Sequence, residues 1–242
     1  MIVIQAKDYD EMSLKAYEAM KIVLTEKPEA VLGLATGSTP IGLYKCMIAD
    51  YKAGAVSYKN MTSINLDEYV GLPVTHPESY RSFMNRNLFD HIDIKPENTH
   101  VPDGLAEDLQ KAADEYTAFA AAHPIDVQIL GIGANGHIGF NEPGTPFDSH
   151  THVVTLKEGT RRDNARFFDN DISLVPTHAV TLGMQDIMNA KAVILLASGA
   201  GKADAVAKMI KGPVSTDCPA SILQTHPNVL VVTDEAAGYY LN

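Results

Sequence analysis

The sequence predicts a three-layer α/β domain built on a mainly parallel sheet, from two observations. Short apolar runs rich in β-branched residues recur along the chain, and longer amphipathic segments separate several of them. Strands covered on both faces read as near-continuous apolar runs, and parallel strands need helical crossovers between them. No repeat, low-complexity tract or linker interrupts the pattern, so a single domain over residues 1–242 is expected.

The elements follow in order. Residues 1–4 form the first strand. Residues 9–26 place Met12, Ala16, Ala19, Met20 and Val23 at helical spacing. A strand over 30–35 runs into Thr36-Gly37-Ser38-Thr39-Pro40 and a helix over 40–51. Further strands are expected at 61–66, 127–132, 153–156, 192–197 and 229–233, with helices over 78–89 and 106–122.

Composition narrows the function. Hydrophobic residues make up 45% and charged residues 20%, as in ordinary soluble domains. A formal net charge of −11 disfavours a nucleic-acid partner. No signal-peptide pattern and no apolar stretch long enough for a bilayer is present, so a cytoplasmic protein is expected. Cys46 and Cys218 have no metal-ligand spacing.

In parallel α/β sheets, ligands bind beyond the carboxyl ends of the strands. Four loops there carry candidate chemistry. Gly37, Ser38 and Thr39 sit between a strand and a helix start, where free N–H groups and hydroxyls suit a phosphate; the same residues could serve only as a helix cap. Asp67 and Glu68 follow the strand 61–66, and either could be a base or a solvated cap. The stretch GIGANGHIGFNEPG at 131–144 matches G-x-G-x-x-G, but Pro143, Gly144 and Pro146 break helices, so a dinucleotide fingerprint is rejected. Within it, His137 and Glu142 form an acid/base pair, and the carboxylate is expected to favour the protonated ring.

The fourth loop, Ser198-Gly199-Ala200-Gly201-Lys202, departs from a nucleotide P-loop at Leu196 and Ala203 but suits a monophosphate. Arg161, Arg162 and Arg166 cluster in 159–168, and two of the three are expected to lie on a solvated helix face. His150 and His152 have no carboxylate set to complete a metal site, and no metal is expected.

The motifs LATGSTPIGLY, NLDEYVGLP, GIGANGHIGFNEPG, ARFF and SGAGKA, in this order, resemble the glucosamine-6-phosphate deaminase family from residue 2 to about residue 233. The resemblance implies a Rossmann-like fold of the ribose-5-phosphate isomerase/deaminase type. It implies conversion of glucosamine 6-phosphate and water to fructose 6-phosphate and ammonia, without a cofactor. Asp67 would take the C2 proton, His137 would assist ring opening and Glu142 would support His137. Gly37, Ser38, Thr39, Arg166 and Lys202 would hold the phosphate. Residues 158–177 are a candidate lid. The alternatives are a 6-phosphogluconolactonase-like hydrolase and a non-catalytic sugar-phosphate sensor.

Three positions depart from the family pattern. Asn135 stands where many members carry Asp, and is expected to act as a hydrogen-bonding positioner. His152 and Val154 stand where allosteric members carry basic residues, so activation by an anion is not expected. The chain ends at Asn242, short of the tails of hexameric members, and a monomer is expected. Replacing Asn135 by Asp adds a negative charge beside His137 and should shift the alkaline limb of the pH–rate profile upward. A limb that stays in place refutes the role given to position 135.

Overall fold

The computed structural model describes residues 1–241. Its central sheet has seven parallel strands in the order β1-β10-β9-β6-β2-β3-β5. These are β1 (Ile2–Ala6), β2 (Val31–Leu34), β3 (Thr62–Asn65), β5 (Thr99–His100), β6 (Val127–Leu130), β9 (Val193–Ala197) and β10 (Val229–Asp234).

Helices cover both faces. On one lie α1 (Tyr9–Glu26), α2 (Ile41–Lys52) and α3 (Tyr80–Asn87). On the other lie α4 (Leu109–Ala122), α6 (Met184–Met188) and α7 (Ala203–Lys211). The pleat divides each strand between two cores. Leu32, Leu34, Ile194 and Leu196 meet Met12, Met20, Leu43 and Met47, while Val31, Leu195 and Val231 meet Ile187, Val206 and Met209. Each fully buried side chain of this size contributes about 1.5–3 kcal/mol of transfer free energy. Apolar residues on both faces of one strand are therefore what hold the three layers together.

Local capping fixes the helix starts. Asp8 accepts from the Glu11 N–H at 2.9 Å, Ser79 from Ser82 at 3.1 Å and Asp108 from Lys111 at 3.0 Å. The expected helix over 78–89 accordingly begins at Tyr80, and that over 106–122 begins at Leu109.

One expectation is corrected in detail. Residues 153–156 do form a strand, β7 (His152–Thr155), but it lies outside the parallel sheet. It pairs antiparallel with β8 (His178–Thr181), which pairs with β4 (Asp67–Tyr69). The chain leaves the main sheet at Leu66, whose N–H still bonds the Leu34 carbonyl at 3.0 Å while its carbonyl accepts from Leu182 at 2.7 Å. Asp67 and Glu68, expected in a loop, thus belong to a strand. Between β7 and β8 lie α5 (Glu158–Asn164) and two short 3-10 turns, Ala165–Phe167 and Ile172–Leu174.

Candidate active site

A cleft of about 560 Å³ opens at the carboxyl ends of β2, β3, β6 and β9. Gly37, Ser38, Thr39, Asp67, His137, Arg166 and Lys202 all line it. Asn135 and Glu142 do not reach the wall and stand behind His137.

The loop after β2 is held in shape by two tyrosines that sequence reasoning missed. The Tyr9 hydroxyl contacts the carbonyls of Ser38 and Thr39 at 3.0 and 3.1 Å and accepts from the Gly42 N–H at 2.8 Å. The buried Tyr44 hydroxyl donates to the Ala35 carbonyl at 2.5 Å. Gly37 adopts φ +92°, a conformation that favours glycine. The carbonyls are turned back into the protein, which leaves the Ser38 and Thr39 side chains on the cleft. Across it stand Lys202, whose ammonium pKa is lowered by burial and by Arg166 against the opposing pull of Asp163, and Arg166, whose guanidinium lies 4.7 Å over the Phe167 ring. Two cations with no direct salt bridge among the described residues, beside hydroxyl donors, suit this end to an anion.

Strand periodicity separates the two neighbouring carboxylates. Glu68 points away from the cleft and accepts from the N–H groups of Tyr69, Tyr80 and Arg81 at 2.8, 2.9 and 3.0 Å. It thus seats the positive end of α3. Asp67 points into the cleft with 6% of its surface exposed. Burial, and then the charge of Glu68, push its pKa up to about 8. A carboxylate so destabilised in its charged form is a strong base once ionised.

The His137 imidazole opens on the cleft, with its side chain one-fifth exposed (21%). It packs over Gly133, where a Cβ would lie 2.2 Å from Cε1. A side chain at position 133 would therefore displace the ring. Nδ1 lies 3.8 Å from Glu142 Oε2, which accepts from Asn135 Nδ2 at 2.7 Å. Asn135 Oδ1 accepts from the His137 N–H at 3.2 Å. The amide supplies a donor that a carboxylate at position 135 would lack. The other Glu142 oxygen accepts from the Thr160 hydroxyl of α5.

Glu142 does favour the protonated ring, as expected, but it does not decide the balance. Burial lowers the His137 pKa and outweighs the opposing charge of Glu142, so the imidazole is neutral near pH 7.

The arginine cluster divides in a way the sequence did not show. Arg162 pairs with Glu158 on the surface. Arg161 instead donates to the carbonyls of Ile172 and Val175 at 2.8 and 2.9 Å, tying the two ends of residues 161–175 together. Sequence reasoning also missed Tyr80, Thr160, Asp163, Asn164 and Phe167, which line the cleft. Thr160, Asp163, Asn164 and Phe167 follow i, i+3, i+4, i+7 spacing, a signal that periodicity could have found. Among the described residues no group of three His, Cys, Asp or Glu is placed to hold a metal, and no helix is long and apolar enough to cross a membrane.

The family described as glucosamine-6-phosphate isomerases/6-phosphogluconolactonase matches residues 7–232. The glucosamine-6-phosphate deaminase of Thermoanaerobacter pseudethanolicus is 50% identical over 98% of this chain and 94% of its own length. Glucosamine-6-phosphate deaminase 2 of Bacillus subtilis is 50% identical over 100% of this chain and 98% of its own. A solved structure of a monomeric glucosamine-6-phosphate deaminase superposes with a TM-score of 0.96, at 46% identity, covering 99% of each chain.

Two predictions follow from this geometry. The unfolded chain releases the Asp67 proton near 3.8, and the folded chain only near 8. The native state binds the extra proton between these values, so Asp67 costs increasing stability as pH rises through that window. Asp67→Asn should therefore melt at a higher temperature than the parent at pH 8.5, with a smaller gap at pH 5; calorimetry at both pH values checks this. Tyr9→Phe removes the hydroxyl that holds the 38–42 backbone. Inorganic phosphate should bind roughly fivefold more weakly by titration calorimetry, with the fold unchanged by circular dichroism.

Proposed function

This chain belongs to the glucosamine-6-phosphate isomerase/6-phosphogluconolactonase family, and we propose that within it the cleft deaminates glucosamine 6-phosphate to fructose 6-phosphate and ammonia. The observation that carries this reading is Asp67. It is a buried carboxylate facing a cleft that holds an anion site at one end and a neutral imidazole in its wall. Moving a proton from a sugar carbon needs a base set against that carbon, and a carboxylate facing the cleft supplies one.

The phosphate binds Ser38, Thr39, Arg166 and Lys202 and the backbone beside Gly37. His137, neutral near pH 7, takes the proton of the anomeric hydroxyl and returns one to the ring oxygen, opening the sugar. Asp67 removes the C2 proton. The electron pair forms the C1–C2 double bond of an enolamine as the C1 carbonyl oxygen gains a proton. Reprotonation at C1 yields a C2 iminium. Water adds at C2, the nitrogen takes up a proton, and ammonia leaves as the ketone forms. Proton transfer and positioning suffice throughout. Asn135 and Glu142 act through His137, by fixing its backbone and facing Nδ1.

On this reading the enzyme is a hydrolase of a carbon–nitrogen bond that serves amino-sugar breakdown. A charged sugar phosphate does not cross bilayers unaided, which favours a cytoplasmic setting. The monomeric relative at 46% identity supports a monomer. Residues 158–177 act as a lid, because their inward face carries Arg166 and forms one wall of the cleft.

Purified protein given glucosamine 6-phosphate, without added metal or cofactor, should release ammonia and fructose 6-phosphate in equal amounts. Asp67→Asn should lose about 10²- to 10⁴-fold in kcat. Hydrolysis of 6-phosphogluconolactone with no ammonia release would favour the lactonase instead. Binding of the amino-sugar phosphate with no turnover would favour a sensor.

A further inference from the structure

Glu142 is 5% exposed, and its two carboxylate oxygens serve different parts of the chain. Oε2 takes the Asn135 amide and faces His137 Nδ1, both within the loop that follows β6. Oε1 takes the hydroxyl of Thr160, from α5 in the 158–177 segment. Thr160 is 7% exposed and lines the cleft. One carboxylate thus joins the acid/base loop to the segment that covers the site.

Internal contacts tie that segment together. Arg161 ties α5 to the carbonyls of Ile172 and Val175. One turn beyond Thr160, Asn164 Nδ2 donates to the Tyr69 hydroxyl at 2.8 Å, and Phe168 packs edge-on against the Tyr69 ring with centroids 5.7 Å apart. The Lys157 ammonium donates to the Pro143 carbonyl at 3.2 Å, next to Glu142. The segment therefore meets the site at two places: Glu142 behind His137, and Tyr69, two residues beyond Asp67 in β4.

We propose that Thr160 is a positioning residue, which by donating to Glu142 Oε1 fixes that carboxylate against His137 when residues 158–177 lie over the cleft. The proposal rests on the deaminase reading for its kinetic arm only. A buried carboxylate oxygen that loses its donor is under-satisfied and turns toward another partner. The carboxylate has one torsion axis, so turning Oε1 also withdraws Oε2 from Asn135 and from the ring. By this contact the 158–177 segment holds the acid/base pair in register, and without it His137 loses its oriented partner.

The test compares the parent with Thr160→Val, which keeps the shape and removes the donor, and Thr160→Ser, which keeps the donor. In the ammonia-release assay Thr160→Val should lower kcat roughly ten- to hundredfold, with KM changing less than about threefold, and Thr160→Ser should recover most of the loss. Unchanged kcat in the valine variant, or equal loss in the serine variant, overturns the proposal.

A second arm needs no turnover. The ¹⁵N resonances of the His137 ring are followed against pH in the substrate-free protein. The charged groups acting on that ring are Glu142 and Asp163, which raise its pKa, and Lys157 and Lys202, which lower it. With Glu142 no longer held at 3.8 Å, the His137 midpoint should fall in Thr160→Val and return in Thr160→Ser; identical midpoints overturn the proposal. If the parent releases no ammonia, the deaminase reading fails and this arm still decides the role of Thr160. Circular dichroism checks folding, and Thr160→Ala replaces the valine variant if that one is unfolded.

Discussion

Four adjacent parallel strands, β9, β6, β2 and β3, end at one edge of the central sheet, and the site depends on that constraint. Parallel pairing obliges each strand to be followed by a crossover, so every strand delivers a loop to the same edge. The loop after β2 brings Ser38 and Thr39, the chain after β3 brings Asp67, the loop after β6 brings His137, and the loop after β9 brings Lys202. The two cores on either face of the sheet hold these strand ends in fixed relation. Each loop needs only a local conformation, and the sheet does the rest.

The cleft places charge where burial opposes it. Glu68 and Asp67 are adjacent in sequence and both are buried, yet they meet opposite environments. Glu68 receives three backbone N–H groups at the start of α3 and is a structural anchor. Asp67 faces the cleft, and its affinity for a proton is raised by the same burial and by its neighbour's charge. The ionised Asp67 carboxylate thus opposes folding and holds a raised affinity for a proton. His137 follows a similar logic with the opposite sign, since burial disfavours its cationic form and leaves a neutral ring able to accept a proton.

The small antiparallel sheet carries the 158–177 segment, which forms one wall of the cleft. β4 leaves the main sheet directly after Leu66, and β7 and β8 bracket the 158–177 segment, so Asp67 and both ends of that segment belong to one sheet. Tyr69 in β4 meets that segment through Asn164 and Phe168, while Glu142 meets it through Thr160. These contacts join one short stretch of chain to the strand that carries Asp67 and to the loop that carries His137.

Much of this was legible in the sequence, and the limits have physical causes. The three-layer α/β architecture followed from apolar strand runs and helical periodicity, since burial on both faces leaves a direct mark on residue type. The four loops could be read because glycines, hydroxyls and charged groups gather after strands, whereas the choice of Asp67, His137, Arg166 and Lys202 within or near them came from the resemblance of whole motifs to a known family. Other features left no local mark. Which of Asp67 and Glu68 faces the cleft depends on a strand whose partner, β8, lies more than a hundred residues away. The protonation of His137 depends on how deeply the ring is buried. The clamps made by Tyr9 and Thr160 depend on hydroxyls that meet backbone or carboxylate atoms only after the chain has folded. Sequence determined which local conformations and chemical groups were present, because those follow from neighbouring residues. Tertiary structure alone decided orientation, burial and charge state, because these are set by atoms distant along the chain.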